Sequence, residues 1–310
     1  MIKFLIIIYI FLFSSKSNAF SISEVAKGVY VHYGVHEDAN EKNEGDIANL
    51  GFIVGEKSIM VIDTGGTQLI AKKLLNKIKE ISNLPISHVV ITHSHPDHFF
   101  GTEVFLNEKP LIVGHEKLNR SLLTNFEFYK NLQYSNIKLD IINNAKPVTA
   151  DLLVEIKETK EIDLGDRIIE IKAWGSGHTD NDLSVLDKKT KVLWSENIFV
   201  TRVPSIRASI LGWKKNLEEI LEMDLELIVP GHGNATPKNE AVMPMLNYFN
   251  RIINQLRDFI EKNVSLQESI NKILQNEILN PEEVNKENWL LFTEYHYSNI
   301  TKAYTELEWE

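Results

Sequence analysis

The chain has 310 residues, 43% hydrophobic and 25% charged, with a formal net charge of −10. That is the balance of a soluble globular protein with room for a sizeable core, and it excludes a disordered or fibrous chain. The acidic excess repels polyphosphate, so nucleic acid and anionic membrane surfaces are poor partners, and the absence of cysteine excludes a disulfide framework, a thiol nucleophile and a cysteine-ligated zinc or iron–sulfur centre.

Residues 1–19 read as a leader. Lys3 supplies a basic start, Phe4 to Phe13 are continuously apolar, and Ser17, Asn18 and Ala19 end on the small residue that signal peptidase requires. The run is well short of the ~20 residues that cross a bilayer. Cleavage after Ala19 is therefore expected, giving a periplasmic or secreted protein with no membrane span after leader cleavage.

From Val25 to about Ala235, short β-branched runs alternate with amphipathic segments, the pattern of a mixed α/β fold. Residues 50–54 and 58–62 flank Gly55-Glu56-Lys57 and predict a hairpin, with Asp63 directly after it. Thr67 is placed to cap a helix whose apolar positions are Ile70, Leu74, Ile78 and Ile81, and Leu84-Pro85 ends it. Residues 89–91 predict a buried strand. Further strands are predicted at 168–173, 183–186, 192–194 and 227–229, each followed by glycine or a polar residue that opens a loop. Beyond Gly233 the texture changes. Leu246, Phe249, Ile252, Ile253, Leu256, Phe259 and Ile260 trace one helical face, and Leu266, Ile270, Ile273, Leu274 and Ile278 a second. Residues 241–310 thus read as a helical extension packed on a domain of residues 20–240.

The chemistry concentrates in Thr92-His93-Ser94-His95-Pro96-Asp97-His98, directly after a buried strand. Imidazole and carboxylate donors at a strand end can converge on a metal. On an extended stretch His93 and His95 point the same way and reach one ion, while Asp97 and His98, past the Pro96 bend, reach a second. His178 in Gly175-Ser176-Gly177-His178 and His232 in Pro230-Gly231-His232-Gly233 stand at glycine-flanked strand ends, where the backbone can turn sharply towards a bound centre. Together these donors suffice for two zinc-like ions. His32, His36, His88, His115 and His296 have no convergent partners and read as surface or packing residues, with His36 also in an early loop able to wall a pocket.

This set of residues, with Asp63-Thr64-Gly65 upstream, resembles the metallo-β-lactamase fold superfamily of metallohydrolases over nearly all of residues 25–233. The resemblance implies a four-layer αββα sandwich of the α/β class with a two-metal site along one edge of its sheets. It implies Zn2+ as cofactor, two ions per chain, with His93, His95 and His178 on the first and Asp97, His98 and His232 on the second. Asp63 would orient ligands from behind. Gly28-Val29-Tyr30-Val31-His32, Gly45-Asp46-Ile47-Ala48-Asn49, Arg202-Val203-Pro204-Ser205 and the ending Glu306-Leu307-Glu308-Trp309-Glu310 are similar to the quinoprotein relay system zinc metallohydrolases. Those are exported members of the superfamily associated with PQQ-dependent dehydrogenase systems, so a quinoprotein dehydrogenase or cytochrome is the implied partner beside a small-molecule substrate.

The chain departs from the superfamily pattern where a bridging aspartate usually follows the strand at 191–194. It reads Trp194-Ser195-Glu196-Asn197. Counting back from Arg202 puts Glu196 in that place, and counting forward from Val192 puts Asn197 there; Glu196 is the preferred ligand, and its extra methylene makes the second site the weaker. Zinc brings the pKa of water to about 7 and so provides a nucleophile. Asp97 is the expected ligand and proton acceptor, and Arg202 and Arg207 the expected receivers of an anionic substrate group. A flavo-diiron reductase would carry glutamate at His95. Hydrolysis of a small ester, thioester, lactam or related substrate is the expected activity, and a non-enzymatic periplasmic metal-binding accessory protein is the alternative.

Overall fold

Leu50–Val54 (β3) and Ile59–Ile62 (β4) form the expected antiparallel hairpin, with Gly51 opposite Ile62. They sit inside a seven-stranded sheet of order β1-β2-β3-β4-β5-β6-β7. Its other members are Ser23–Ala26 (β1), Val29–His32 (β2), Ile86–Val90 (β5), Leu111–His115 (β6) and Leu152–Val154 (β7). Pairing is antiparallel from β1 to β4 and parallel from β4 to β7. The computed structural model describes residues 20–279 and 285–310; the leader expected over residues 1–19 lies outside them.

The second sheet has five strands in the order β12-β11-β10-β9-β8: Thr159–Asp163 (β8), Ile168–Ala173 (β9), Leu183–Asp187 (β10), Val192–Phe199 (β11) and Leu227–His232 (β12). The two sheets face each other across an apolar layer that includes Val31, Ile53, Met60 and Val90 from the first and Ile171, Val185 and Trp194 from the second. Trp194 is fully buried, and its fit depends on Gly51. A Cβ there would lie 2.6 Å from the indole and 2.0 Å from the Tyr30 carbonyl, so only glycine lets the sheets close at this point.

Helices cover both outer faces. Gln68–Ile81 (α1) and Leu118–Ile137 (α3) pack on the first sheet through Ile70, Leu74, Leu118, Leu122 and Phe126. Thr67 caps α1 as its sequence predicts, its side chain accepting from Ile70 N–H at 3.3 Å. Ile210–Glu222 (α4), Lys238–Glu261 (α5) and Phe292–Leu307 (α7) cover the second sheet through Trp213, Leu217, Phe249, Ile253 and Ile300. Leu266–Leu279 (α6) follows α5. The architecture is an αββα sandwich with C-terminal helices. No helix among the described residues is long and apolar enough to cross a membrane.

One strand differs from its sequence reading. β11 continues past Trp194 to Phe199, buried throughout. Its parallel register with β12 holds from Val192↔Leu227 to Ser195↔Pro230 and then shifts before Phe199↔His232. The polar triplet Ser195-Glu196-Asn197 therefore forms an irregular stretch inside a strand rather than a loop after one. Such bulges re-aim side chains beside functional sites.

Candidate metal centre

All the donors gather at one edge of the sandwich. Asp63 follows β4, Thr92 to His98 follow β5, and Pro96–Phe99 winds into a single turn (α2) with His95 at its N-cap. His178 lies in the loop after β9, Glu196 in the irregular part of β11, and His232 ends β12.

His93 Nε2 stands 3.0 Å and His178 Nε2 2.9 Å from His95 Nδ1. The other ring nitrogens set the tautomers. His178 Nδ1–H donates to the Ser205 carbonyl at 2.8 Å. The Thr92 hydroxyl donates to Asp63 Oδ2 at 2.6 Å, so its oxygen accepts from His93 Nδ1–H at 3.2 Å. Both Nε2 atoms thus present lone pairs towards His95. Burial, reinforced by the neighbouring imidazoles, holds His93 and His178 far below the ordinary histidine range, and burial pushes His95 down to about 4. With both Nε2 atoms as acceptors, a single proton on His95 Nδ1 satisfies the converging nitrogens only in part, whereas a shared cation satisfies all three. Donors around tetrahedral zinc at 2.0–2.1 Å stand about 3.3 Å apart, close to the spacing seen. The residues fit a divalent cation.

Beside this group, Asp97 Oδ2 lies 3.5 Å from His98 Nε2 and 3.6 Å from His232 Nε2. His232 Nδ1–H donates to the Ile47 carbonyl and His98 Nδ1–H to Asp63 Oδ2, at 2.8 and 2.7 Å. In the neutral rings both Nε2 atoms are again left as acceptors aimed at the carboxylate. Burial, with Arg202 and His98 nearby, depresses His232. For His98 burial also opposes charge, but Asp97 and Asp63 outweigh it and raise its pKa. The donor atoms within each set, His93/His95/His178 and Asp97/His98/His232, lie within 4.8 Å of one another.

Glu196 is placed differently. It clusters with Asp63 and His98, its Oε2 3.5 Å from His98 Nδ1, the opposite ring nitrogen from the one facing Asp97. Both its oxygens are buried without a hydrogen-bond partner, and burial together with Asp63 and Asp97 raises its pKa well above the carboxylate range. Asn197 is turned to the Ser195 hydroxyl, which donates to its Oδ1 at 2.6 Å. The irregularity in β11 explains why counting from the two flanks gave different residues. Asp63 itself takes a positive φ of 55°, and its Oδ1 accepts from Thr92 N–H at 2.9 Å.

A cavity of about 490 Å³ opens over the centre, with His95, Asp97, His178 and His232 on its floor. Ile47, Tyr129 and Phe199 give it apolar sides, and Phe128 and Leu132 of α3, 65% and 40% exposed, form an apolar lip. Arg207 lines it; Arg202 is buried behind, its Nη2 3.9 Å from Asp38 Oδ1 and its guanidinium 5.5 Å from the Tyr295 ring. The early loop does wall the pocket, through Asp38, Ala39 and Ile47 rather than His36. Sequence reasoning missed Tyr295, whose hydroxyl donates to Asp38 at 2.6 Å. It also missed Asn49, whose Nδ2 donates to the Pro230 and Gly233 carbonyls on either side of His232, both at 2.7 Å.

The chain belongs to the metallo-beta-lactamase superfamily, whose family profile matches residues 43–232. It is similar to metallo-beta-lactamase type 2 of Bacillus sp. (strain 170), with 22% identity over 236 residues, 72% of this chain and 80% of that protein. A local match of 32% identity over 66 residues, 21% of this chain and 12% of the other, links it to linear primary-alkylsulfatase of Pseudomonas sp. (strain ATCC 19151). Among solved structures, the metallo-beta-lactamase from Pontibacter korlensis superposes with a TM-score of 0.59 at 17% identity, over 74% of this chain and 98% of that one. The family match ends at His232, so α5, α6 and α7 lie beyond it.

Proposed function

We propose that the chain is an exported zinc-dependent hydrolase of a small ester, thioester, lactam or related substrate. The observation that carries this reading is the convergence of His93 Nε2, His95 Nδ1 and His178 Nε2 next to Asp97, His98 and His232 at one cavity, whose floor is formed by His95, Asp97, His178 and His232. Zn2+ held by these residues supplies Lewis-acid polarisation of the scissile group and water acidic enough to attack at neutral pH. Asp97 faces the cavity and is placed to take the proton that hydrolysis releases. Arg207 on the wall receives an anionic substrate group, with Arg202 adding positive charge from behind. Phe128, Tyr129 and Leu132 shield an apolar portion from water. The apolar run and small-residue end of positions 1–19 support export, and the four flanking motifs support association with a quinoprotein dehydrogenase or cytochrome.

The test is metal analysis followed by a panel of a nitrophenyl ester, a thioester, a chromogenic lactam and an alkyl sulfate. Hydrolysis lost on chelation, restored by Zn2+ and absent in His95→Ala is the expected result. A metal-replete chain that cleaves none of these, yet co-elutes with a quinoprotein dehydrogenase, supports the accessory reading. The clustering of Glu196 with Asp63 and His98, on the His98 nitrogen opposite the one facing Asp97, favours that second reading.

A further inference from the structure

Asn299 is fully buried in the middle of α7. Asparagine is a poor helix-interior residue, and its amide is costly to bury unless bonded. Its bonds lead to the metal centre. Asn299 Oδ1 accepts from Ile206 N–H at 2.9 Å, and Nδ2 donates to the Pro204 carbonyl at 2.7 Å. The side chain therefore grips the backbone on both sides of Ser205. Ser205 in turn presents the carbonyl that receives His178 Nδ1–H. The same loop meets the His178 segment twice more, through Arg207 N–H to the His178 carbonyl at 3.2 Å and Ser209 N–H to the Gly177 carbonyl at 3.0 Å. Tyr248 of α5 steadies the amide, its hydroxyl accepting from Asn299 Nδ2 at 3.0 Å.

We propose that Asn299 is a positioning residue for the first metal group, fixing the ring plane and tautomer of His178 through the Pro204-Ser205-Ile206 backbone. The C-terminal extension is then an arm of the metal centre, supplied by a part of the chain beyond the family match. This inference rests on the metal-binding reading of His93, His95 and His178, but not on the identity of any substrate. Partners that orient a ligating histidine are worth about 10- to 100-fold in metal affinity. Asn299 acts one bond further out, which places it near the lower figure.

The test is a Zn2+ competition titration on the full chain, well below the melting temperature, together with the visible ligand-field spectrum of the Co2+-substituted protein. Asn299→Ala is expected to weaken the tighter site about tenfold and to shift the Co2+ bands. Asn299→Asp keeps the acceptor for Ile206 and loses the donor to Pro204; it is expected to move both readouts in the same direction and covers the case in which the alanine variant does not fold. Tyr304→Phe serves as comparison, because it cuts an α7 anchor remote from the centre, the 2.8 Å bond from Tyr304 to the Val264 carbonyl. It is expected to lower the melting temperature without changing Zn2+ affinity or the Co2+ spectrum. Unchanged affinity and spectrum in both Asn299 variants overturns the inference alone. A parent chain that binds neither ion overturns the metal reading, and this inference with it.

Discussion

Asp63 Oδ2 accepts from His98 Nδ1–H at 2.7 Å and from the Thr92 hydroxyl at 2.6 Å, so one buried carboxylate sets a histidine in each donor group, His98 directly and His93 through Thr92. Such partners fix tautomer and ring orientation. Asp63→Asn isolates this role, because asparagine tolerates the left-handed backbone at this position. The variant is expected to bind Zn2+ about 10- to 100-fold more weakly, read by competition with a chromophoric chelator. Wild-type affinity in a folded variant would remove Asp63 from the centre's support.

Glu196 occupies space that only glycine at 231 leaves open. A Cβ on residue 231 would stand 2.3 Å from the Glu196 carbonyl oxygen and 2.9 Å from Oε2. The nearest contact is backbone, so no side-chain rotation relieves it. Gly231→Ala is expected to cost about 1–3 kcal/mol, the usual range for overpacking, and to weaken metal binding by displacing His232 next door. Chemical denaturation with and without Zn2+ measures both effects; a loss under about 0.5 kcal/mol means that β11 yields freely here.

The histidine cluster was legible because each donor obeys one local rule, a short apolar strand followed at once by a turn and a ligand. His178 and His232 follow the same grammar. Glu196 and Asn197 could not be told apart by counting because the β11–β12 register shifts between Ser195 and Phe199, and a bulge leaves no mark in a period-two pattern. α3 was illegible for another reason. Its buried stripe is narrow, Leu118, Leu122, Phe126, Gln133 and Ile137, while Leu123, Phe128 and Leu132 point outward. Apolar residues on both sides erase the amphipathic signal. Asn299 and Tyr295 act through contacts with positions some ninety or more residues away, which no local window contains.

Metal removal gives a stability prediction independent of substrate. A ligand that binds only the folded state stabilises it by about 2.7 kcal/mol at a hundred times its Kd. For a chain of this size that is a rise of several degrees in melting temperature. Calorimetry of chelator-treated protein, with and without added Zn2+, should show that rise, and His93→Ala should abolish most of it. A melting curve indifferent to Zn2+ in the parent chain counts against the imidazole group as a cation site.

Tyr295 brings the C-terminal extension to the cavity wall. Burial and the bond to Asp38 push its phenol up to about 12, so below pH 10 it is a neutral donor and does not titrate with activity. Its contribution is shape: the ring closes the cavity beside Arg207 and lies against the Arg202 guanidinium. Losing one pocket contact is worth roughly 1–3 kcal/mol in substrate discrimination. Tyr295→Ala is therefore expected to raise KM about tenfold or more while kcat changes little and bound zinc is unchanged. Tyr295→Phe keeps the ring and should hold KM within about threefold, with the pH profile below 10 preserved. Steady-state kinetics on whichever substrate the panel identifies separates the outcomes. A collapse of kcat at constant KM in Tyr295→Phe places the hydroxyl in the chemistry and rules out a role confined to the wall.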